Sequence, residues 1–214
     1  MSSDGGGTRP EENAVVGEEE DRLVLCHFNA RGAESKEEIL KEWFTEKDVA
    51  CAGIAESHTY LSHGLSDAAW RWEPGKEVQP GPLHRHPPGG VGFFTSTSSK
   101  ASVIESGEYS VWCRLETKEG IPVFVGECYF PHKSEINKHK QAWNEVEKAV
   151  EKPLHLGHIV LMGDFNAKMG MNGDCQVDAA GRLMRKRLNA MRLHAVNGFR
   201  QCKGKFTHEQ VVKG

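Results

Sequence analysis

The segment 158–166 contains the side chains of this sequence that are best suited to chemistry. An apolar run at 159–162 ends in Gly-Asp-Phe-Asn, so a buried strand is predicted to deliver a carboxylate and a carboxamide to one turn. Asp164 and Asn166 lie two residues apart, a spacing that points both side chains the same way in an extended chain. Such a pair could hold a cation or a water and donate a hydrogen bond to a phosphoryl oxygen. The alternative is an ordinary turn, because Asp and Asn hydrogen-bond their own backbone.

Three other predicted strands end in polar residues that could serve the same site. These strands are predicted at 23–30, 49–55 and 123–129, and at or next to their ends lie Asn29, Glu56 and Tyr129. Mg²⁺ is typically bound by one or two carboxylates together with water and substrate phosphate. Glu56 and Asp164 would meet that requirement if the strand ends converge. Taken singly, each residue has a plainer interpretation as a solvated or turn-forming side chain.

Apolar periodicity and capping residues predict the helices that must support these strands. Ser35, with Glu38 three residues later, forms a capping box that opens a first helix. Ser134 is predicted to cap a second helix, and a third helix is predicted at about 181–193.

The order of the elements indicates the fold class. Two further strands are predicted at 91–95 and 111–117, and residues 57–90 are predicted to form a long loop. Strands outnumber helices, and the helices fall between groups of strands. This order favours an α+β fold, with two sheets packed face to face and helices outside, over a doubly wound parallel sheet.

The composition predicts one globular domain preceded by an acidic arm. Of the 214 residues, 38% are hydrophobic, mean hydropathy is −0.55, and no bilayer-spanning stretch or secretory leader is visible. The six cysteines include no C-x-x-C pair, which favours a reduced intracellular protein, nuclear or cytoplasmic. Residues 1–21 hold seven acids against Arg9 alone and are predicted to be disordered. The net charge of −3 therefore leaves +3 on residues 22–214.

Six motifs occur in a fixed order along residues 22–214. They are HFNARG at 27–32, GIAESH at 53–58, GGVGFF at 89–94, CYFP at 128–131, GDFNA at 163–167 and GKFTH at 204–208. The ordered set resembles the endonuclease/exonuclease/phosphatase superfamily, which includes AP endonucleases and DNase I. The resemblance implies a four-layered α/β/β/α sandwich of two mainly antiparallel sheets.

Within that superfamily, the sequence is most similar to the endonuclease domain of non-LTR (LINE-type) retrotransposons. The shared features are the Gly-Gly-Val strand, the Tyr-x-Pro, and the run after GDFNA, which begins Asp178-Ala-Ala-Gly181 and continues to Phe206-Thr207. This similarity implies DNA as a partner and allows a reverse transcriptase domain in the full-length product.

The resemblance also implies a role for each motif residue. Glu56 would be the principal Mg²⁺ ligand, with Mn²⁺ as a substitute cation, and Asn29 would order the metal and phosphate region. Tyr129 would contact the scissile phosphate and stabilise its developing charge. Asp164 would share in the metal site and orient or deprotonate the attacking water. Asn166 would donate to the phosphate oxygens.

A basic run near the end of the sequence supports a polyanionic partner. Between residues 178 and 209 there is no acid, yet eight Lys and Arg residues are present. Arg182, Arg185 and Lys186 are predicted to contact the DNA backbone, because phosphate neutralisation provides affinity for any DNA sequence. Thr207 matches a family position at the DNA surface. The alternative is a solvated helix face, and so short a helix cannot point all these charges one way.

Two departures from the family pattern shape the functional expectation. The family continues into a Ser-x-x-Asp strand and a water-activating Asp-His pair, whereas the sequence stops at Gly214. We therefore expect a C-terminally truncated sandwich without its final strands, marginal stability and impaired nicking. Arg31 also stands where AP endonucleases carry an acid.

The sequence thus predicts a Mg²⁺-dependent phosphodiesterase of the DNA endonuclease type. Two alternatives stay open. One is a phosphatase or deadenylase-like member of the same superfamily, because the fold hosts several phosphoester chemistries. The other is a non-catalytic relic that binds nucleic acid without turnover.

Overall fold

A computed structural model describes residues 22–58, 65–76, 90–170 and 176–196, which hold eight strands and three α-helices. Sheet 1 contains β1 (Val24–Asn29), β2 (Val49–Ala55), β3 (Trp70–Pro74) and β4 (Val91–Ser96). Sheet 2 contains β5 (Ala101–Ser106), β6 (Ser110–Leu115), β7 (Val123–Tyr129) and β8 (His158–Asp164). The helices are α1 (Glu37–Glu46), α2 (Ile136–Glu151) and α3 (Ala179–Ala190). The predicted acidic arm at 1–21 lies outside the described residues.

Each sheet combines one parallel pair of strands with antiparallel neighbours. The strand order is β1-β2-β4-β3 in sheet 1 and β5-β6-β7-β8 in sheet 2. β1 and β2 run parallel, as do β7 and β8, and the other neighbouring pairs are antiparallel. The prediction of two mainly antiparallel sheets is confirmed.

The two sheets pack face to face, and helices cover their outer faces. The cluster between the sheets includes Phe93 of sheet 1 and Val125 of sheet 2, both fully buried. On the outer face of sheet 1, Phe44 of α1 packs into a second buried cluster. On the outer face of sheet 2, Trp143 of α2 and Leu188 of α3 share a third cluster. The layers therefore run α/β/β/α, as predicted.

Burial explains which strands could be predicted. β2 and β7 are buried at almost every position, since each lies inside its sheet and is covered on both faces. Their continuous apolar runs therefore predicted the strands with accurate ends.

Within the described ranges, no helix has the length and apolarity needed to cross a bilayer.

Two strands were missed for the opposite reason. β3 lies inside the segment predicted as a long loop, and its pattern of two buried tryptophans spans only five residues. β5 is an edge strand with mostly exposed residues, so no apolar pattern marks it. The loop prediction for 57–90 is wrong at β3, while 59–64 and 77–89 lie outside the described residues.

Both predicted serine caps are wrong. Ser35 lies within a short 3-10 turn, and the residue that precedes α1 is Lys36, which makes no side-chain cap. Ser134 pairs with the His132 ring, Oγ to Nδ1, at 2.9 Å and does not cap α2. Ser35 thus lies inside a turn before α1 and Ser134 bonds to His132, and sequence spacing alone shows neither.

Candidate functional site

The strand topology brings four polar strand ends to one edge of the sandwich. β1 and β2 are parallel, with Asn29 beside Ala55. β7 and β8 are also parallel, with Tyr129 beside Asp164. Because the carboxyl ends of parallel strands meet at the same edge, each sheet presents two such ends there. Sheet 1 provides Asn29 and Glu56, and sheet 2 provides Tyr129 and Asp164.

Hydrogen bonds join these four side chains across the two sheets. Asn29 Nδ2 donates to Glu56 Oε1 at 2.8 Å and to Asp164 Oδ2 at 3.2 Å. Tyr129 OH donates to the same Glu56 oxygen at 3.2 Å. The structure thus brings together residues as far as 135 positions apart in the sequence. We call Asn29, Glu56, Tyr129 and Asp164 the strand-end cluster.

The loop after β1 is tied to the loop after β2. The amides of Ala30 and Gly32 donate to the carbonyls of Ala55 and Glu56, at 2.9 and 2.8 Å. On the other side, the Lys36 ammonium donates to the carbonyl oxygens of residues 30, 31 and 32. These bonds hold Glu56 in a left-handed conformation with φ of 49°. Such strain costs on the order of 1–3 kcal/mol and clusters at functional sites.

The Gly-Asp-Phe-Asn segment forms a turn at the end of β8, so the side-chain directions expected for Asp164 and Asn166 in an extended chain do not apply. Asn166 has a φ of 43°, and its amide donates to Asp164 Oδ1 at 3.0 Å. Asn166 Nδ2 donates to the Phe130 carbonyl at 2.9 Å. Gly163 is required at its φ of 139°, because a Cβ there would lie 2.0 Å from the Cys128 carbonyl oxygen. Asp164 therefore shapes the turn through Oδ1 while its Oδ2 reaches the strand-end cluster.

Two buried aromatic rings, Phe130 and Trp143, pack with the partly buried Phe165 and support this turn. Phe130 lies 4.9 Å from Trp143 and 5.3 Å from Phe165, and the Trp143 and Phe165 rings stack at 5.8 Å, measured between ring centroids. The Phe130 amide also donates to the Asp164 carbonyl at 2.9 Å. Packing and a backbone hydrogen bond together fix the end of β8 against the end of β7.

The Tyr129 hydroxyl is a permanent hydrogen-bond donor at neutral pH. Burial, followed by the charge and hydrogen bond of Glu56 and the charge of Asp164, raises the pKa of Tyr129 to about 12. A protonated phenol beside two carboxylates is suited to contact an anionic oxygen without itself ionising.

A second polar pair, which the sequence analysis missed, lies between the sheets next to the strand-end cluster. His27 Nδ1 lies 2.9 Å from Glu127 Oε1, and Glu127 is fully buried. Burial opposes the charged imidazolium, but the hydrogen bond and charge of Glu127, with Asp164, outweigh it and raise the pKa of His27. Burial raises the pKa of Glu127, and His27 offsets only part of that rise.

Strand alternation could have revealed this pair. His27 precedes Asn29 by two residues, and Glu127 precedes Tyr129 by two residues. Residues two apart on a strand share a face, so both side chains face the same way as the strand-end cluster. A charged residue in the otherwise apolar β7 was the available indication.

The strand-end cluster has oxygen donors suited to a hard divalent cation. Glu56 and Asp164 provide carboxylates, and the Asn29 amide nitrogen bridges the two. In the described part of the chain, no group of three or more His, Cys, Asp or Glu residues forms a possible metal site. The two carboxylates still fit Mg²⁺, which usually keeps several waters and takes further oxygens from substrate phosphate.

The basic residues of α3 divide into an outward and an inward set. Arg182, Arg185 and Lys186 are exposed. Arg187 is half-buried, with Nη1 2.5 Å from Glu147 Oε2 of α2. Arg182 donates to the Val177 carbonyl at 3.0 Å and Arg185 donates to the Met169 carbonyl. Their other guanidinium N–H groups and the Lys186 ammonium are therefore the donors available to a phosphate backbone. The predicted contact at Thr207 lies outside the described residues.

The helix that carries these residues begins two residues before the predicted start. Asp178 caps it, because its Oδ1 accepts the Gly181 amide at 2.7 Å. The helix start packs closely on the segment after β8, since a Cβ at Gly181 would lie 1.8 Å from the Lys168 carbonyl oxygen. The start of the basic helix therefore packs against the segment that follows the Asp164 turn.

Comparison with known proteins identifies the fold. No family model matches the chain, and no curated protein matches it significantly. The endonuclease domain of TRAS1, a telomere-specific non-LTR retrotransposon, matches with a TM-score of 0.62 at 15% identity, covering 81% of this chain and 72% of that one. The 3′ phosphatase NExo from Neisseria, bound to a product DNA hairpin, gives 0.56 at 11% identity, with coverage of 79% and 71%.

An AP endonuclease, LMAP from Leishmania major, also matches with a TM-score of 0.56 at 8% identity, covering 79% of this chain and 66% of that one. This chain therefore has the fold of the endonuclease/exonuclease/phosphatase superfamily, and the predicted resemblance is confirmed at the level of the fold. At these identities the likeness concerns architecture, so the chemistry must be argued from the site.

Proposed function

We propose that this chain is a divalent-metal-dependent phosphodiesterase that nicks DNA, with Mg²⁺ as its cation and Mn²⁺ as a substitute. The observation that carries the proposal is the convergence of Asn29, Glu56, Tyr129 and Asp164 from both sheets in one hydrogen-bonded cluster. DNA is favoured over other phosphoesters by the exposed basic face of α3. Similar structures include a retrotransposon endonuclease domain and a phosphatase bound to a DNA hairpin.

The carboxylates of Glu56 and Asp164 would hold the cation. When bound, it would supply positive charge that stabilises the phosphoryl oxygens and favours ionisation of a water. Asn29 would keep the two carboxylates in their relative orientation, because its one amide nitrogen bonds to both.

Other side chains would bind the phosphate and position the water. The Tyr129 hydroxyl would donate to a phosphoryl oxygen, since its pKa of about 12 keeps the proton in place. Asn166 gives one amide hydrogen to Phe130, which leaves its second amide hydrogen for a phosphoryl oxygen. Asp164 would orient the attacking water or accept its proton.

Nicking of supercoiled plasmid with Mg²⁺ tests this function. Glu56→Gln keeps the shape of the side chain but removes its charge. We expect it to slow nicking by at least on the order of 10²-fold, because charge stabilisation by a metal is worth several kcal/mol. Chelation of the cation should abolish nicking of the unchanged protein.

The matched control is Glu116→Gln. Glu116 is an exposed carboxylate at the opposite edge of the sandwich, where its Oε1 lies 2.7 Å from Arg114 Nη2. This variant should nick at the unchanged rate. Equal nicking by both variants, or nicking that survives chelation, would contradict the proposed metal site.

DNA binding at two salt concentrations tests the role of α3. Lys186→Ala should weaken binding and reduce the slope of log K against log salt by about 0.9, the value for one phosphate contact. Lys47→Ala is the control, since this exposed lysine of the loop after α1 pairs with Glu46 at 2.5 Å. An unchanged slope for Lys186→Ala would show that Lys186 does not contact a DNA phosphate and is only a solvated surface residue.

A substrate panel separates the proposed function from its alternatives. The panel contains plasmid DNA, short RNA and inositol phosphates. Turnover of a small phosphoester alone would favour a phosphatase, the activity named for the Neisseria protein of this fold. Salt-dependent DNA binding without metal-dependent turnover of any substrate would favour a non-catalytic nucleic-acid-binding protein.

A further inference from the structure

The inward-facing residues of β1, β2, β7 and β8 form rows across the sandwich. The row at the site contains Asn29, Tyr129 and Asp164. The next row, which we call the pair row, contains His27, Gly53, Glu127 and Met162. The row after that, the apolar row, contains Leu25, Cys51, Val125 and Val160. The interior between the sheets therefore changes from apolar to charged one row before the site.

The need to fill space between the sheets does not explain why the pair row contains charged residues. A Cβ at Gly53 would lie 1.9 Å from Glu127 Oε2, so a residue without a side chain makes room for this carboxylate. Oε2 has no hydrogen-bond partner among the described residues, whereas Oε1 pairs with His27. A buried ion pair is often no more stable than apolar residues of similar volume. The apolar row shows that this interior accommodates such residues.

We propose that His27 and Glu127 are positioning residues that set the spacing of the two sheets beneath the proposed catalytic site. This inference rests on the proposed function. The strand-end cluster is divided between the sheets, so its bonds of 2.8 to 3.2 Å depend on how the sheets lie against each other. The bond between His27 and Glu127 also joins the two sheets, in the adjacent row.

A hydrogen bond is suited to this task in a way that apolar contact is not. Apolar burial is non-directional, and cores refilled with apolar side chains lose a unique, rigid arrangement before they lose stability. A hydrogen bond weakens steeply away from its preferred length and angle. Since His27 and Glu127 lie two residues from Asn29 and Tyr129 on the same strands, a fixed distance in one row constrains the next.

The decisive variant is the double replacement His27→Leu with Glu127→Met. It removes the directional bond, fills the space with apolar atoms and removes one charge of each sign. We expect it to melt at or above the temperature of the unchanged protein, because apolar replacement of a buried pair is often neutral or stabilising. The kcat for nicking should fall about 10- to 100-fold with little change in KM, because a misplacement of about 1 Å can cost 10²-fold.

A second readout does not depend on turnover. Mn²⁺ binding to the protein without DNA, followed by electron paramagnetic resonance, reports the geometry of Glu56 and Asp164. We expect the double variant to bind Mn²⁺ about tenfold more weakly, because a shift between the sheets would misplace Glu56 relative to Asp164, and loss of ligand orientation typically costs 10- to 100-fold in affinity. The pair removed is neutral overall when ionised, so a loss of net charge does not explain such a change.

Two single variants serve as controls. Glu127→Gln keeps an oxygen that can accept from His27, so kcat and Mn²⁺ affinity should stay close to those of the unchanged protein. Lys41→Met removes a different buried cation, in the layer outside sheet 1, and should lower stability without changing kcat. If the double variant does not fold, Glu127→Met replaces it, because the remaining His27 is 25% exposed and can be solvated.

The possible results separate the two proposals. Retained melting with reduced kcat and weaker Mn²⁺ binding supports the positioning role. Unchanged kcat and Mn²⁺ affinity in the double variant would overturn that role while the proposed function stands. If the unchanged protein neither nicks DNA nor binds Mn²⁺, the proposed function fails, and the positioning role fails with it.

Discussion

Two groups of buried charge in this molecule are built differently. Between α1 and sheet 1, Lys41 Nζ lies 2.5 Å from Glu37 and 2.7 Å from Asp67, and 5.6 Å from the centre of the Phe94 ring. Asp67 Oδ1 also accepts the Trp70 amide at 2.8 Å. Between the sheets, Oε1 of Glu127 pairs with His27, whereas Oε2 has no hydrogen-bond partner in the part of the chain that the structure describes.

We call Lys41, Glu37 and Asp67 the Lys41 group and infer that it stabilises the fold, whereas the pair of His27 and Glu127 supports the proposed function. The Lys41 group lies at the edge of a layer, where its carboxylates reach water, and it fastens α1 to the start of β3. Glu127 is fully buried one row from the strand-end cluster, and the described residues provide a hydrogen bond to only one of its carboxylate oxygens. Natural proteins tend to break the rule of polar satisfaction where a site requires it. Variants of each group can test this distinction.

The largest effect is expected for His27→Leu, which leaves a buried carboxylate without a partner. Loss of one member of a buried pair typically costs about 3–5 kcal/mol of unfolding free energy. Burial raises the pKa of Glu127, so its protonated form favours the folded state. Stability should therefore be greatest at low pH and fall as the pH rises through the folded-state pKa. Urea unfolding at about pH 5 and about pH 8 measures this, and equal stabilities would contradict it.

A smaller effect is expected for Lys41→Met. The variant removes hydrogen bonds to Glu37 and Asp67, and bonds to charged groups contribute about 1.5–3 kcal/mol. Both carboxylates can be solvated, so no buried charge is left behind. Urea unfolding should show the loss, while nicking by the folded protein should be unchanged. A fall in kcat would show that the Lys41 group also supports the site.

Gly53→Ala tests the space reserved for Glu127. The new Cβ would meet Glu127 Oε2 at 1.9 Å and Met162 Cε at 2.9 Å, and overpacking of this kind typically costs about 1–3 kcal/mol. Combination with Glu127→Ala removes the nearer contact, so the two changes should be less than additive in urea unfolding. If the two losses of unfolding free energy were fully additive, the Glu127 carboxylate would not be what excludes a side chain at residue 53.

The smallest effect is expected for Asp67→Asn. The pH dependence of stability that Asp67 causes is opposite in sign to the one caused by Glu127. The hydrogen bond from Lys41, together with the Trp70 and Ala69 amides, holds the pKa of Asp67 below its ordinary value of 3.8. This carboxylate therefore stabilises the fold above that value, and the effect is lost as the pH falls through the folded-state pKa. The free energy of unfolding should therefore fall more on acidification for the unchanged protein than for Asp67→Asn. Urea unfolding at neutral and at acid pH measures both falls, and equal falls would contradict the prediction.

The sequence predicted the layers and the central strands because their causes are local. Continuous apolar runs marked β2 and β7, and amphipathic spacing marked α2. β3 and β5 were not predicted because both are short edge strands with several exposed residues, so neither has a continuous apolar run. The serine caps failed because a 3-10 turn shifts the start of α1 past Ser35, and Ser134 bonds to His132 instead of to the start of α2.

The same division applies to the site. The sequence by itself determined which polar residues stand at strand ends, since a strand that stops at a turn must place its next side chains near water. Only the tertiary structure decided that Asn29 bonds to both Glu56 and Asp164, because parallel pairing in each sheet brings those ends to one edge. It also decided that His27 meets Glu127, an interaction that exists only when two separate sheets face each other.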